Sequence, residues 1–196
     1  MPPKAKFTKE EVVETALDIV RSDGMQALTA RALGAKLCSS ARPIFTVFQS
    51  MDEVQQQVIA AAKLLYAEYV KNGLSQKEIP AFKGVGMQYI RFALTESKLF
   101  QVLFMSEQGQ KTDVRDILPV IDESYPQILA SVQNSYSLSQ SDSEWLYRHL
   151  WIYTHGIAVL CATNLCTFTA QEIGTMLTEV CTAMLNKLKE GKNIEN

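Results

Sequence analysis

The sequence predicts an all-α fold: an N-terminal three-helix unit followed by a larger helical bundle, about nine helices in all. Three observations carry this. Apolar residues recur at helical spacing through most of the 196 residues. Capping-box signals recur ahead of the periodic segments, at Thr8/Glu11, Ser50/Glu53, Ser141/Glu144 and Thr169/Glu172. No apolar run finds a partner strand. A composition of 47% apolar and 20% charged residues is that of an ordinary globular chain, which excludes wholesale disorder. No stretch approaches the ~18 apolar residues of a membrane-spanning helix. The N-terminal residues lack the apolar core of a signal peptide, so a cytoplasmic protein is expected.

The first helix is expected from about Lys9 to Ser22. Thr8 and Glu11 open it, Phe7 and Val12 fit a hydrophobic staple, and Asp23-Gly24 stops it. Val12, Ala16, Ile19 and Val20 form its apolar face. Thr29 can cap a second helix through Leu37, and Ser40 a third over Ala41–Phe48, with Pro43 in its first turn. A strand over 44–48 is the alternative, but it is short and unpartnered. Ser50 opens a long helix ended by Asn72-Gly73. Pro80 starts another, carrying Phe82, Val85, Gly86, Tyr89 and Ala93. Further helices are expected around Lys98–Ser106 and over Leu118–Ser135, the latter delayed or kinked by Pro119 and Pro126. Ser141 opens a helix to about Cys161–Asn164, and Thr169 the last, with Ile173, Leu177, Val180, Met184 and Leu188 on one stripe. The chain therefore divides at about residue 50, into 1–50 and 51–191.

Net charge is −2, yet the first fifty residues are net positive, which makes them the polyanion-facing part. Cysteines at 38, 161, 166 and 181 form no Cys-x-x-Cys pair, and two histidines are too few for a common zinc site. No metal and no cofactor is expected, and the cysteines read as free buried thiols. No nucleophile elbow, phosphate loop, paired-carboxylate motif or His-Glu-x-x-His motif is present, so an enzyme is not expected.

A DNA-reading helix-turn-helix needs two short helices at a tight turn, a small residue where they cross, and a polar start to the second. Gly34 and Ser40-Ala41-Arg42 fit. At this point residues 8–60 resemble the N-terminal domain of the TetR/AcrR family of transcriptional regulators. The residues that carry the resemblance are Val12, Ala16-Leu17, Val20, Gly24, Thr29, Arg31, Leu33-Gly34 and Leu37, then Ser40-Ala41-Arg42-Pro43-Ile44-Phe45, Phe48 and Ser50-Met51-Asp52-Glu53-Val54. Leu150–Ala158 also resembles a Trp…His-Gly motif in the eighth helix of one branch of that family. The resemblance implies a homodimer on palindromic operator DNA, released when a small-molecule effector enters the C-terminal domain. This chain departs from the family at Cys38, where the turn usually carries Gly, and at Met51, where helix four usually starts with Lys.

Candidate DNA contacts follow residue by residue. Arg42 is placed at a base edge, with Thr46 and Ala41 as weaker base or methyl contacts. The resemblance puts Phe45 against sugar-phosphate, and packing into the core is its alternative. Thr29 and Ser40 can donate to phosphate while capping their helices. Lys4 and Lys6 lie on an arm that reaches the duplex or stays solvated. In the C-terminal part, the resemblance implies an effector cavity, with Phe104, Trp145, His149, Trp151 and His155 as candidates. Trp145, His149 and Ile152 share one helix face, and Trp151 and His155 another. Spacing does not decide which face packs inside and which joins the last helix in a dimer. The other reading is a helical interaction protein whose helix-turn-helix no longer binds DNA.

Overall fold

A computed structural model describes residues 6–194, apart from 77, 107–112, 115 and 122. Among the described residues there are nine α-helices and no strand: α1 (Lys9–Asp23), α2 (Ala30–Lys36), α3 (Met51–Leu74), α4 (Ala81–Thr95), α5 (Ser97–Phe104), α6 (Ile117–Ile121), α7 (Tyr125–Tyr136), α8 (Gln140–Ala162) and α9 (Ala170–Ile194). Short 3-10 turns lie at Met25–Ala27 and Ile44–Thr46. The chain forms two compact units. One is Met1–Tyr66 with Glu96–Ser106; the other is Ala67–Thr95 with Glu107–Asn196.

In the first unit, α1 begins as its sequence dictates. The Thr8 hydroxyl accepts from the Glu11 N–H, and the Glu11 carboxylate accepts from the Thr8 N–H, so both free donors are satisfied. Gly24, at φ 85°, ends the helix in a conformation that costs other residues energy. Val12, Ala16 and Val20 are fully buried, and α1 packs on α2 and α5. Leu33, Ile44, Phe48, Val54, Leu99 and Phe100 complete this core.

The element after α2 differs from the expected helix. Ala41–Phe48 is a turn with one 3-10 segment, and no side chain caps it. Its N–H groups reach back three residues: Ile44 to Ala41, Phe45 to Arg42, Thr46 to Pro43. Ser40 therefore does not cap an α-helix. The fully buried Ile44 and nearly buried Phe48 anchor the segment by packing, which local propensity does not report.

In the second unit, α4 lies against α7, α8 and α9. Phe82, Tyr89, Ile90 and Phe92 are buried from α4, Ile128 and Val132 from α7, Leu146 and Leu150 from α8, and Ile173 and Leu177 from α9. Gly73 does not stop α3, which runs to Leu74. Its role is close approach. A Cβ on Gly73 would stand 2.6 Å from Val85 Cα, and one on Gly84 would collide with the Gly73 carbonyl.

Several boundaries move for local reasons. The helix expected over Leu118–Ser135 is two helices, with Pro126 in the first turn of α7, where its missing N–H costs nothing. Ser139, not Ser141, caps α8 by accepting from the Asp142 N–H, which leaves Ser141 within the helix. Thr169 and Glu172 make the expected reciprocal box. Cys161 and Cys181 are buried as expected, but Cys38 and Cys166 are exposed.

Candidate nucleic-acid interface

The turn between α2 and the 41–48 segment is built by two residues. Gly34 leaves no room for a side chain: a Cβ there would lie 2.9 Å from both the Ala41 amide nitrogen and the Ser40 carbonyl carbon. Cys38 takes φ 51°, the left-handed conformation in which glycine is favoured. The Ser39 N–H then donates to the Gly34 carbonyl at 2.8 Å and the Cys38 N–H to the Ala35 carbonyl at 3.0 Å. These bonds close the helix end as a Schellman turn does. Position 38 thus holds a cysteine in the conformation that glycine prefers.

With Ile44 and Phe48 turned inward, Ser40, Arg42, Phe45 and Thr46 face outward. Arg42 has no ion-pair partner among the described residues, so its guanidinium keeps all its donors for an outside acceptor. Phe45 is 45% exposed, which removes the reading of it as a core residue. The Thr46 hydroxyl donates to the Pro43 carbonyl at 2.6 Å, so towards an outside group it can only accept. Ala41 is half-buried beside Gly34. Thr29 accepts from the Ala32 N–H at 3.1 Å, which leaves its hydroxyl able to donate as well. Lys6 donates to the Ser39 hydroxyl at 2.9 Å, which brings Lys6 itself to the turn. Lys4 lies outside the described residues.

Sequence reasoning missed the contacts that end the 41–48 segment. The Glu53 carboxylate accepts from the Gln49 N–H at 2.7 Å and from the Lys9 ammonium at 2.8 Å. These two contacts, the Gln49 bond first, hold the Glu53 carboxyl below the usual carboxylate range. Ser50 accepts from the Glu53 N–H at 3.2 Å, so only half of the expected box forms. Ser50/Glu53 spacing was the available signal; nothing local pointed to Lys9.

The α8 candidates fall into two groups. Trp151 stacks on His155 at 4.8 Å between centroids, and His155 Nδ1 lies 2.9 Å from the buried Tyr89 hydroxyl on α4. Burial holds the His155 pKa below its ordinary value. Trp151 and His155 are half-buried, at the edge of the buried face that Leu150, Thr154 and Ile157 form. Trp145 and His149 pair at 4.2 Å, with His149 Nδ1 2.7 Å from the Trp145 carbonyl. Their stripe continues through Ile152, 46% exposed, to Gly156, where a Cβ would meet no atom within 4 Å. Among the described residues no neighbouring atom therefore comes close to Gly156. Lys187 of α9 sits 5.8 Å from the Trp145 ring centroid. Phe104 belongs to the first unit and packs edge-on against Tyr66 and beside Phe100. Among the described residues no three His, Cys, Asp or Glu side chains are grouped to hold a metal ion, and no helix is long and apolar enough to cross a membrane.

Comparison with solved structures assigns the architecture. A TetR-like transcriptional regulator from Rhodococcus sp. RHA1 superposes with a TM-score of 0.66, over 95% of this chain and 99% of that one, at 15% identity. The fold is TetR-like. A protein from Mesorhizobium loti MAFF303099 assigned to the TetR family of transcriptional regulators matches with a TM-score of 0.56, over 91% of this chain and 95% of that one, at 13% identity. No protein-family model matches the sequence, and no curated protein does either. The exposed Arg42, Phe45 and Thr46 lie on the segment between α2 and α3 of this fold.

Proposed function

We propose that this protein is a sequence-specific DNA-binding transcriptional regulator: a repressor that leaves a palindromic operator when a small-molecule effector binds. The observation that carries the reading is the outward face of Ser40, Arg42, Phe45 and Thr46 on a TetR-like helix-turn-helix, with Arg42 unpaired. A guanidinium free of intramolecular partners suits bidentate contact with guanine in the major groove. Residues 1–50 supply this surface, with Thr29 and the Lys4/Lys6 arm on the backbone. Residues 51–191 serve effector binding and dimerisation.

Effector contact is assigned to the Trp151–His155 pair with Tyr89, an aromatic wall carrying one titratable hydrogen-bonding group. The homodimer is assigned to α8 and α9. The Trp145–His149–Ile152–Gly156 stripe faces outward, and Gly156 lets a partner helix come close. Val180, Met184 and Leu188 stay half-exposed on α9, while Ile173, Leu177 and Cys181 turn inward. Such an isologous pairing gives a two-fold axis, and a two-fold reader needs a palindromic site.

Selection of bound sequences from random duplex DNA by the purified chain tests this reading. Enrichment of one palindrome supports it. No enrichment at low salt, with or without candidate effectors, favours a helical interaction protein in which Met51 in place of lysine marks a lost phosphate contact.

A further inference from the structure

The reading segment makes little structure of its own. Its single 3-10 turn is closed by bonds spanning three residues, a geometry poorer than that of an α-helix, and one bond, from the Phe48 N–H to the Ile44 carbonyl, spans four. Its orientation therefore depends on the packing of Ile44 and Phe48 and on what holds its two ends. Gly34 sets the first end through close contact with Ala41. At the second end the chain leaves the turn at Phe48 and enters α3 at Met51. The Gln49 N–H, which a continuing helix would bond to its own preceding turn, instead meets one Glu53 carboxylate oxygen at 2.7 Å. The other oxygen holds the Lys9 ammonium at 2.8 Å, and that ammonium lies 5.0 Å from the Phe48 ring centroid. One carboxylate thus ties the exit of the reading segment to α1 and α3 together.

We propose that Glu53, braced by Lys9, is a positioning residue for DNA reading: its carboxylate fixes the angle at which Arg42, Phe45 and Thr46 meet the duplex. This rests on the DNA-binding reading above. Glu53 carries the wrong charge to contact phosphate, so its contribution is to geometry and its loss has a distinctive signature. Non-specific attraction to the backbone depends on net charge, whereas selectivity depends on where the base-contacting groups stand.

The experiment measures affinity for the selected duplex and for a scrambled duplex, using the full chain with Glu53→Ala and Glu53→Gln. Losing a hydrogen bond to a charged group should lower the selected-to-scrambled ratio about tenfold in Glu53→Ala. Affinity for the scrambled duplex should hold or rise, because a negative charge has gone. Glu53→Gln keeps an acceptor for the Gln49 N–H and should recover most of the ratio. A residue that merely braced the fold would lower both affinities together and leave the ratio alone. A Glu53→Ala ratio within about twofold of the parent, by the same scale, overturns the proposal. If Glu53→Ala does not fold, Lys9→Met reads the same ratio, and an unchanged value overturns it. Absence of selective binding by the parent chain would instead overturn the DNA-binding reading itself.

Discussion

Gly34 and Ala41 touch through their backbones: a side-chain atom at 34 would come within 2.9 Å of the Ala41 nitrogen. The obstacle is main chain, which cannot swing aside as a side chain does. Gly34→Ala would gain about 1 kcal/mol of helix propensity. Overpacking costs about 1–3 kcal/mol, so the clash should win. The expected outcome is a chain destabilised in urea by up to about 2 kcal/mol, with weaker selective DNA binding. A more stable variant would contradict the close approach.

Cys38 presents the opposite case. Its φ of 51° costs a residue with a Cβ about 1–2 kcal/mol. Cys38→Gly removes that strain but adds unfolded-state entropy of about 0.4–1 kcal/mol. The net expectation is stabilisation of about 0.5–1 kcal/mol, read as a higher urea midpoint at unchanged slope. A lower midpoint would show that the thiol makes contacts worth more than the strain.

His155 should impose a pH dependence. Burial lowers its pKa beneath the ordinary 6.5, so between that lowered value and 6.5 the unfolded chain binds more protons. Stability is then complete above 6.5, falls as pH drops through this window, and levels off below it. His155→Gln should flatten the melting temperature against pH in that window. Glu53 and Glu172, both held below the ordinary carboxylate value, lose their contributions only as pH falls below about 4.5. An unchanged slope in the variant would remove His155 as the source.

Val180 belongs to the half-exposed side of α9, unlike its neighbour Cys181, which is 8% exposed. Val180→Glu should therefore leave the subunit helical and shift sedimentation from dimer to monomer. A helical dimer with that substitution would move the interface elsewhere.

The parts legible in the sequence were those decided within one or two turns of chain. The boxes at Thr8/Glu11 and Thr169/Glu172 formed as expected because both partners sit three residues apart. The Trp145–His149 and Trp151–His155 pairs follow from i, i+4 spacing. What spacing did not show was decided by distant packing. Tyr89 and His155 are 66 positions apart. Gly73 looks like a stop signal, yet it serves the approach of Gly84. The reading segment has a helix-like pattern, but Ile44 and Phe48 hold it as a 3-10 turn through burial.

The most direct measurement is a salt titration of binding to the selected duplex, for the parent chain and Arg42→Ala. The account predicts a log-linear loss of affinity with salt for both, because phosphate contacts release counterions. It also predicts that Arg42→Ala costs about 1–3 kcal/mol at the selected site and relaxes the preference at one base position in each half-site. Binding that ignores salt, or an Arg42→Ala chain with unchanged affinity and sequence preference, would contradict the assignment of this helix-turn-helix as the DNA-reading element.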